Sequence, residues 1–465
     1  MGERLQSRTS NEFSDTGTDE KIPDPKEKDY DLNEDLSRSV IYQEYLRKHG
    51  ESRGEVSFVA GSSYKQNGYR DGVGEDVLFS DPQGIAVGID SIYIADRQNN
   101  RVRKIDAKTR NTTTIWGSGS LSDRYQLSSE DARLLDSPTG LTTSRDRKTL
   151  YIADTVNSRI RAINLTVQPV TGITVSTTGR IETLLESPLV KLMPYGLCTN
   201  GTNLFISDTF YHRISTISFS NLRKFAPGQL SSVNDSYQEP MPFSALPRWT
   251  VPEGYSDGSP EIAEFSMPLG ITADHKGNVF VADTNNHLIR KINRDGTATT
   301  IAGTRPKYAT LKHNYGGHAD GHGSDALFDS PHGISIDSNG NLFVADTGNH
   351  VIRKISPDGF VRTIAGTPKQ KGLVDGPALL TKSYNIFRRP VGVSLDRQGD
   401  LYILDTGNQC VRKLTLFRGE EAREKRHAAK RHANELIRNS SETFRGKLKG
   451  YPFDPPLFPG LNLVK

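Results

Sequence analysis

The 465-residue sequence predicts an all-β fold, a six-bladed β-propeller of four-stranded blades closed by an N-terminal strand. Three observations predict it. A stretch of the form LFVADTGNHVIRKIS (342–356) occurs six times, with further copies at 92–106, 150–164, 204–218, 279–293 and 401–415. Its aspartates, Asp96, Asp154, Asp208, Asp283, Asp346 and Asp405, step by 58, 54, 75, 63 and 59 residues, the mark of a repeat array. Each copy follows a P-x-G, at Pro82, Pro138, Pro194, Pro268, Pro331 and Pro390. The 42 glycines and 24 prolines place turns between short apolar runs, as an all-β repeat requires.

Within a unit each piece has a local reason. After P-x-G comes a short apolar run such as GISID, then a turn such as DSNGN (337–341), whose Asp and Gly suit a hairpin. LFVAD alternates, DTGNH turns, VIRKI alternates again, and VRTIAG (361–366) supplies a fourth strand. The sixth unit has no such strand after VRKLTLF (411–417), whereas EVSFVAG (55–61) precedes the first unit with no blade of its own. Residues 55–61 are therefore expected to form the outer strand of blade six, closing the ring and leaving no edge there.

The propeller is expected to fill 51–417, with blade motifs near 82–105, 138–163, 194–217, 268–292, 331–355 and 390–414. Residues 1–50 carry 8 Lys/Arg against 12 Asp/Glu and read as an acidic, mostly disordered segment, with helical spacing over 37–50. Residues 418–449 carry 10 Lys/Arg against 5 Asp/Glu and are helix-prone, and 450–465 form an apolar, Pro-rich tail. Long loops after the third strand are expected near 166–180 and 220–247.

The bulk numbers exclude several classes. A net charge of +4 over this length does not single out a nucleic-acid partner. Two cysteines, Cys198 and Cys410, make no disulfide framework and no CxxC, and fit a reducing compartment. No apolar run reaches the ~18 residues of a membrane helix, and the first residues show no apolar leader region. MGERLQ resembles the start of a myristoylation signal but has Gln6 where Ser or Thr belongs. A cytoplasmic, monomeric propeller is expected, with a nuclear address the alternative raised by KRHAAKRH.

The recurring polar residues read first as architecture, because a catalytic residue would be special in one copy rather than present in six. Each aspartate is expected to cap its own turn by accepting N–H groups two or three residues on. The Asn that follows is expected to cap or turn left-handed, and the later arginine to reach an aspartate. What varies on that face is the better candidate for binding: Arg97, Arg101, Arg159, Tyr211, His212, Arg213, His287 and His350. Together they make a mildly basic ring suited to an acidic peptide or a phosphate backbone.

One cluster invites a metal reading. KHNYGGHADGHGSDALF holds His313, His318 and His322 with Asp320 and Asp325. Its D-G-x-G-x-x-A-x-F core recurs at 69–79 and 255–265, so Asp320 belongs to the repeat and no metal or other cofactor is expected. The innermost strands GIAVG, GLTTS, GLCTN, GITAD, GISID and GVSLD offer no acid/base pair or nucleophile, so no catalytic residue is assigned and the chain is not expected to be an enzyme.

The P-x-G … [YF]-[VI]-A-D-T-x-N-[HS]-x-[IV]-R-K pattern resembles the NHL repeat over about 55–417. Unit three departs from it, with Phe210-Tyr211-His212 in its turn and Ser215 where arginine belongs. The resemblance implies a six-bladed propeller that serves as a platform for proteins or, in members with RING and B-box domains, for RNA. No such zinc ligands stand before this propeller. The expected function is a protein–protein interaction scaffold working through the ring face. RNA binding through the basic face and tail is one alternative, and a lactonase-like propeller hydrolase the other.

Overall fold

In a computed structural model, residues 54–62, 65–117, 135–166, 181–186, 192–222, 241–244, 254–304, 316–373, 375–378 and 386–416 are described. Both terminal segments, most of the two long loops and His313 lie outside them. Six antiparallel sheets follow one another along the chain. Each begins with an inner strand opening on the P-x-G: Pro82–Val87, Pro138–Thr143, Pro194–Thr199, Pro268–Ala273, Pro331–Ile336 and Pro390–Leu395. In each blade the proline pairs in register with the repeat aspartate, as Pro82 does with Asp96 and Pro331 with Asp346. The P-x-G turns and the D-T-x-N turns therefore share one face.

The predicted closure is present. Gly54–Gly61 pairs antiparallel with Cys410–Leu416, with Val56 opposite Leu414 and Ser57 opposite Lys413. Val56, fully buried, joins Ile352, Ile403 and Leu414 in one core cluster. Four-stranded blades are the rule, but blades one, five and six gain a short fifth strand from the D-G segment: Gly72–Val73, Gly321–His322 and Gly376–Pro377.

The apolar core lies between blades, where the alternating side chains of facing sheets meet. One such cluster joins Phe205 and Ile214 of blade three to Val279, Val281 and Ile292 of blade four. The glycine of P-x-G is needed because the inner strands nearly touch. A Cβ on Gly84 would stand 1.8 Å from the Thr139 carbonyl oxygen of the next blade, and one on Gly270 2.0 Å from that of His332. Any larger residue there would push two blades apart.

Candidate functional site

Each repeat aspartate is fully buried, and all but Asp208, which has Tyr211 where the asparagine would stand, are met by the same three kinds of donor. In blade five, Asp346 Oδ1 accepts the Asp329 N–H at 2.8 Å, while Oδ2 accepts from Asn349 Nδ2 at 2.8 Å and Arg353 Nη1 at 2.7 Å. The aspartate therefore does not cap its own turn as expected. Its oxygens are taken by the strand entry upstream of its blade, by the asparagine and by the arginine, and this non-local pairing ties the two ends of a blade together. Nor is the asparagine left-handed. That conformation falls on the next residue, Asn100, Ser158, His212, His287, His350 or Gln409, with φ between 51° and 63°.

The arginine is a second hub. Arg353 is completely buried, donates to the carbonyls of Leu327 and Ala319, pairs with Asp320 at 2.8 Å, and lies over the Phe328 ring at 4.9 Å. Arg103 and Arg290 repeat this with Asp71 and Asp257, over Phe79 and Phe265. Arg412 does so with Asp375 and Phe387. The D-G-x-G-x-x-A-x-F grammar is thus a cradle for a buried guanidinium, which satisfies the cost of burying it. Burial pushes the Asp283 and Asp346 carboxyls up to about 6 and Asp405 to about 7, against the pull of these arginines.

Two further devices join neighbouring blades. The threonine of D-T donates to the carbonyl of the next blade's proline: Thr284 to Pro331 at 2.7 Å, Thr347 to Pro390 at 2.6 Å, Thr406 to Pro82 at 2.7 Å. The left-handed residue accepts the N–H preceding that proline: His287 Nδ1 from Ser330 at 2.8 Å, His350 Nδ1 from Arg389 at 3.1 Å, Gln409 Oε1 from Asp81 at 2.8 Å. Asn100 and His212 do the same with Ser137 and Met267. His287 and His350 are accordingly buried, and their Nδ1 atoms are acceptors.

The remaining ring candidates divide. Arg213 is buried and pairs with Asp208 at 2.8 Å. It stands five residues from its aspartate, against seven for Arg353 and Asp346, and supplies the guanidinium that Ser215 cannot. Arg97 has 43% of its side chain exposed and pairs with Asp81 at 2.9 Å. Arg101 is half-buried with its guanidinium 3.7 Å from the centre of the Tyr69 ring. Arg159, also half-buried, opens the third strand of blade two opposite Asp154. Tyr211 is half-buried and packs edge-on against Phe210 at 5.4 Å, and Phe210 is 64% exposed. Val156, in the corresponding turn of blade two, is 47% exposed. Where blade three presents Phe210, blades four to six have Asn285, Gly348 and Gly407.

Sequence reasoning missed the residues between proline and glycine. Gln83, Tyr195 and His332 meet over the narrow end of the central channel, around a space of about 70 Å³. Tyr195 Oη donates to Gln83 Oε1 at 2.5 Å, and the His332 ring stands edge-on to Tyr195 at 6.1 Å. Burial, with the nearby Arg389 charge, lowers the His332 pKa to about 4. The signal was available: four of the six residues at the one variable place of P-x-G are polar or aromatic, Gln83, Thr139, Tyr195 and His332.

Among the described residues no group of three or more His, Cys, Asp or Glu is placed to hold a metal. His318 Nε2 lies 2.9 Å from Thr363 Oγ1, Asp320 serves Arg353, and Asp325 sits in a short turn. Asp274 and Asp337 accept backbone N–H groups of their own hairpins. Among the described residues no helix is long and apolar enough to cross a membrane.

A family model, the NHL repeat, matches residues 265–292, 328–355 and 387–414, the middles of blades four, five and six. NHL repeat-containing protein 2 of Bos taurus is 27% identical over 353 residues, covering 70% of this chain and 45% of that protein. Protein SUPPRESSOR OF QUENCHING 1, chloroplastic, of Arabidopsis thaliana is 25% identical over 367 residues, covering 77% of this chain and 27% of that one. The chain thus spans less than half the length of these curated relatives. Among solved structures, a Bacteroides thetaiotaomicron protein of unknown function aligns with a TM-score of 0.57 at 18% identity, over 78% of this chain and 76% of its own. An auxiliary nutrient binding protein of the same organism gives 0.54 at 16%, over 78% and 77%. At these identities the likeness is one of fold.

Proposed function

Because the chain belongs to the NHL-repeat family and folds as its six-bladed propeller, we propose that it is a non-catalytic platform for a protein partner. The partner docks on the D-T-x-N face, over blades one to three. The observation that carries this is Phe210, an aromatic side chain 64% exposed at a blade tip and braced by Tyr211. A large apolar group held rigid in solvent loses little entropy on binding and gains area, which is how interface anchors work. Val156 adds a second apolar contact, while Arg97, Arg101 and Arg159 supply positive charge nearby. The complementary surface is a segment with an apolar anchor flanked by carboxylates.

Affinity capture with the full chain tests this. Partners retained by the wild type and by Asn285→Ser, but lost from Phe210→Ser and from an Arg97→Ala/Arg101→Ala pair, are the expected result. Identical partner sets for all four proteins would overturn the proposal.

A further inference from the structure

The opposite mouth of the channel is wide. A chamber of about 820 Å³ opens there, floored by the aliphatic ring that includes Ile85, Leu141 and Ile334 and walled by the hairpins between first and second strands. Its walls are hydrophilic: Thr142, Thr272, Ser335, Asn339 and Ser394 supply hydroxyl and amide groups. Ligand sites of this size are ordinarily more apolar, so a drug-like aromatic would find little to cover here.

Charge on this wall is unbalanced. Arg147, Lys354, Arg362 and Arg397 line it, against Asp337 and Asp396. Both carboxylates have other work. Asp337 accepts the N–H groups of Asn339 and Asn341, and Asp396 accepts that of Asp400 while facing Lys413 at 3.5 Å. Among the described residues the guanidiniums of Arg147, Arg362 and Arg397 pair with no carboxylate. Lys354 and Arg362 stand directly opposite each other on neighbouring strands of blade five, an arrangement that costs stability in a free sheet. Burial and the Arg397 charge lower the Arg147 pKa from its ordinary value, with Asp396 pulling the other way. Arg147 also donates to the Gly88 carbonyl, which fixes it over the blade-one hairpin.

We propose that this chamber binds a phosphorylated polyol, its phosphate between Arg147 and Arg397 and its hydroxyls against the Thr, Ser and Asn walls. Guanidinium forks match phosphate oxygens in pairs, and a dianion between Arg147 and Arg397 relieves their like-charge contact. Polar walls distinguish a hydroxylated body from an apolar one, because an apolar ligand would leave them unpaired. The site lies on the face away from Phe210 and does not rest on the platform reading.

Calorimetric titration of the full chain with inorganic phosphate, glucose and glucose 6-phosphate decides it. Glucose 6-phosphate is expected to bind at least tenfold more tightly than either phosphate or glucose. Arg397→Gln and Arg147→Gln should each weaken it at least tenfold, with Tm unchanged or raised. Arg397 is exposed, so its variant keeps the test sound should Arg147→Gln fail to fold. No saturable binding of glucose 6-phosphate at millimolar concentration, phosphate alone binding as tightly, or unaltered affinity in Arg397→Gln would each overturn the proposal.

Discussion

Blades four to six and blades one to three are built to one plan and finished differently. In the first group the third strand opens on buried Leu288, Val351 and Cys410, and the turn tips are Asn285, Gly348 and Gly407. In the second group the same strand position holds Arg101, Arg159 and Arg213, and the tips include exposed Val156 and Phe210. The joints differ as well. Blade one has Arg97 where the others have a threonine to bond the next proline, and blade two has Ser158, too short to reach the next blade. At that junction the entry strand runs one residue tighter: Met193, immediately before the proline, donates to Asp208, whereas Asp329 lies two residues before its proline. The regular half keeps the ring closed by repeated identical joints. The irregular half gives up some of these joints and carries the protruding groups, so the departures from the repeat mark where binding is to be sought.

The largest effect should come from the one joint both halves depend on. Removing residues 1–61 strips blade six of Gly54–Gly61 and exposes Cys410–Leu416 as an edge. Thermal unfolding should drop by more than about 10 °C, or the chain should aggregate. An unchanged Tm would show that the ring does not need that strand.

Next come the buried guanidiniums. Arg353→Leu leaves Asp346 buried without its charge partner and should cost about 3–5 kcal/mol in denaturant unfolding. Arg213 has 7% of its surface exposed and, among the described residues, pairs with one carboxylate, Asp208, so its change to Leu should cost roughly half as much. Equal losses would mean that blade three relies on its substitute arginine as fully as the regular blades do.

The joints themselves are smaller. His350→Ala orphans the Arg389 N–H and should cost about 1–3 kcal/mol, while Ser158→Ala should stay within about 0.5 kcal/mol. A Ser158→Ala loss as large as that of His350→Ala would reveal a joint at the blade two–three seam.

The smallest expected effect is one of pH. His332 has a folded pKa near 4, below its ordinary value of 6.5. It stays neutral in the fold but takes up a proton when unfolded. Its contribution is therefore whole above pH 6.5 and is lost as pH falls through that value towards 4. His332→Gln should show a shallower fall of Tm between pH 6.5 and 4 than the wild type. Parallel slopes would mean that the ring protonates in place.

Much of this was legible beforehand. Six aspartates at steps near 60 residues reveal six blades, and a missing strand at one end with a spare at the other reveals the closure. The D-G-x-G-x-x-A-x-F stretch could be recognised as repeat grammar, but not as a guanidinium cradle, because its partners lie 26 to 34 residues away in sequence. His350 looked free because its identity varies among copies. What persists at Asn100, His212, His287, His350 and Gln409 is an acceptor atom rather than a residue type. Arg213 is the same case: the charge is kept while its position in the strand moves by two. A reading by letter sees variation where the chemistry is constant.

The pairing of Val56 with Leu414 also bears on how the chain is made. At ~5–20 residues per second, a ribosome needs roughly 20–70 s to travel from one to the other. Throughout that interval Gly54–Gly61 has no place to pair, while blades one to five can each assemble from contiguous sequence. Among the described strands, the first synthesised is thus the last to dock. A nascent chain stalled before residue 410 would carry five assembled blades and an unplaced strand, a natural target for chaperones that recognise extended apolar segments.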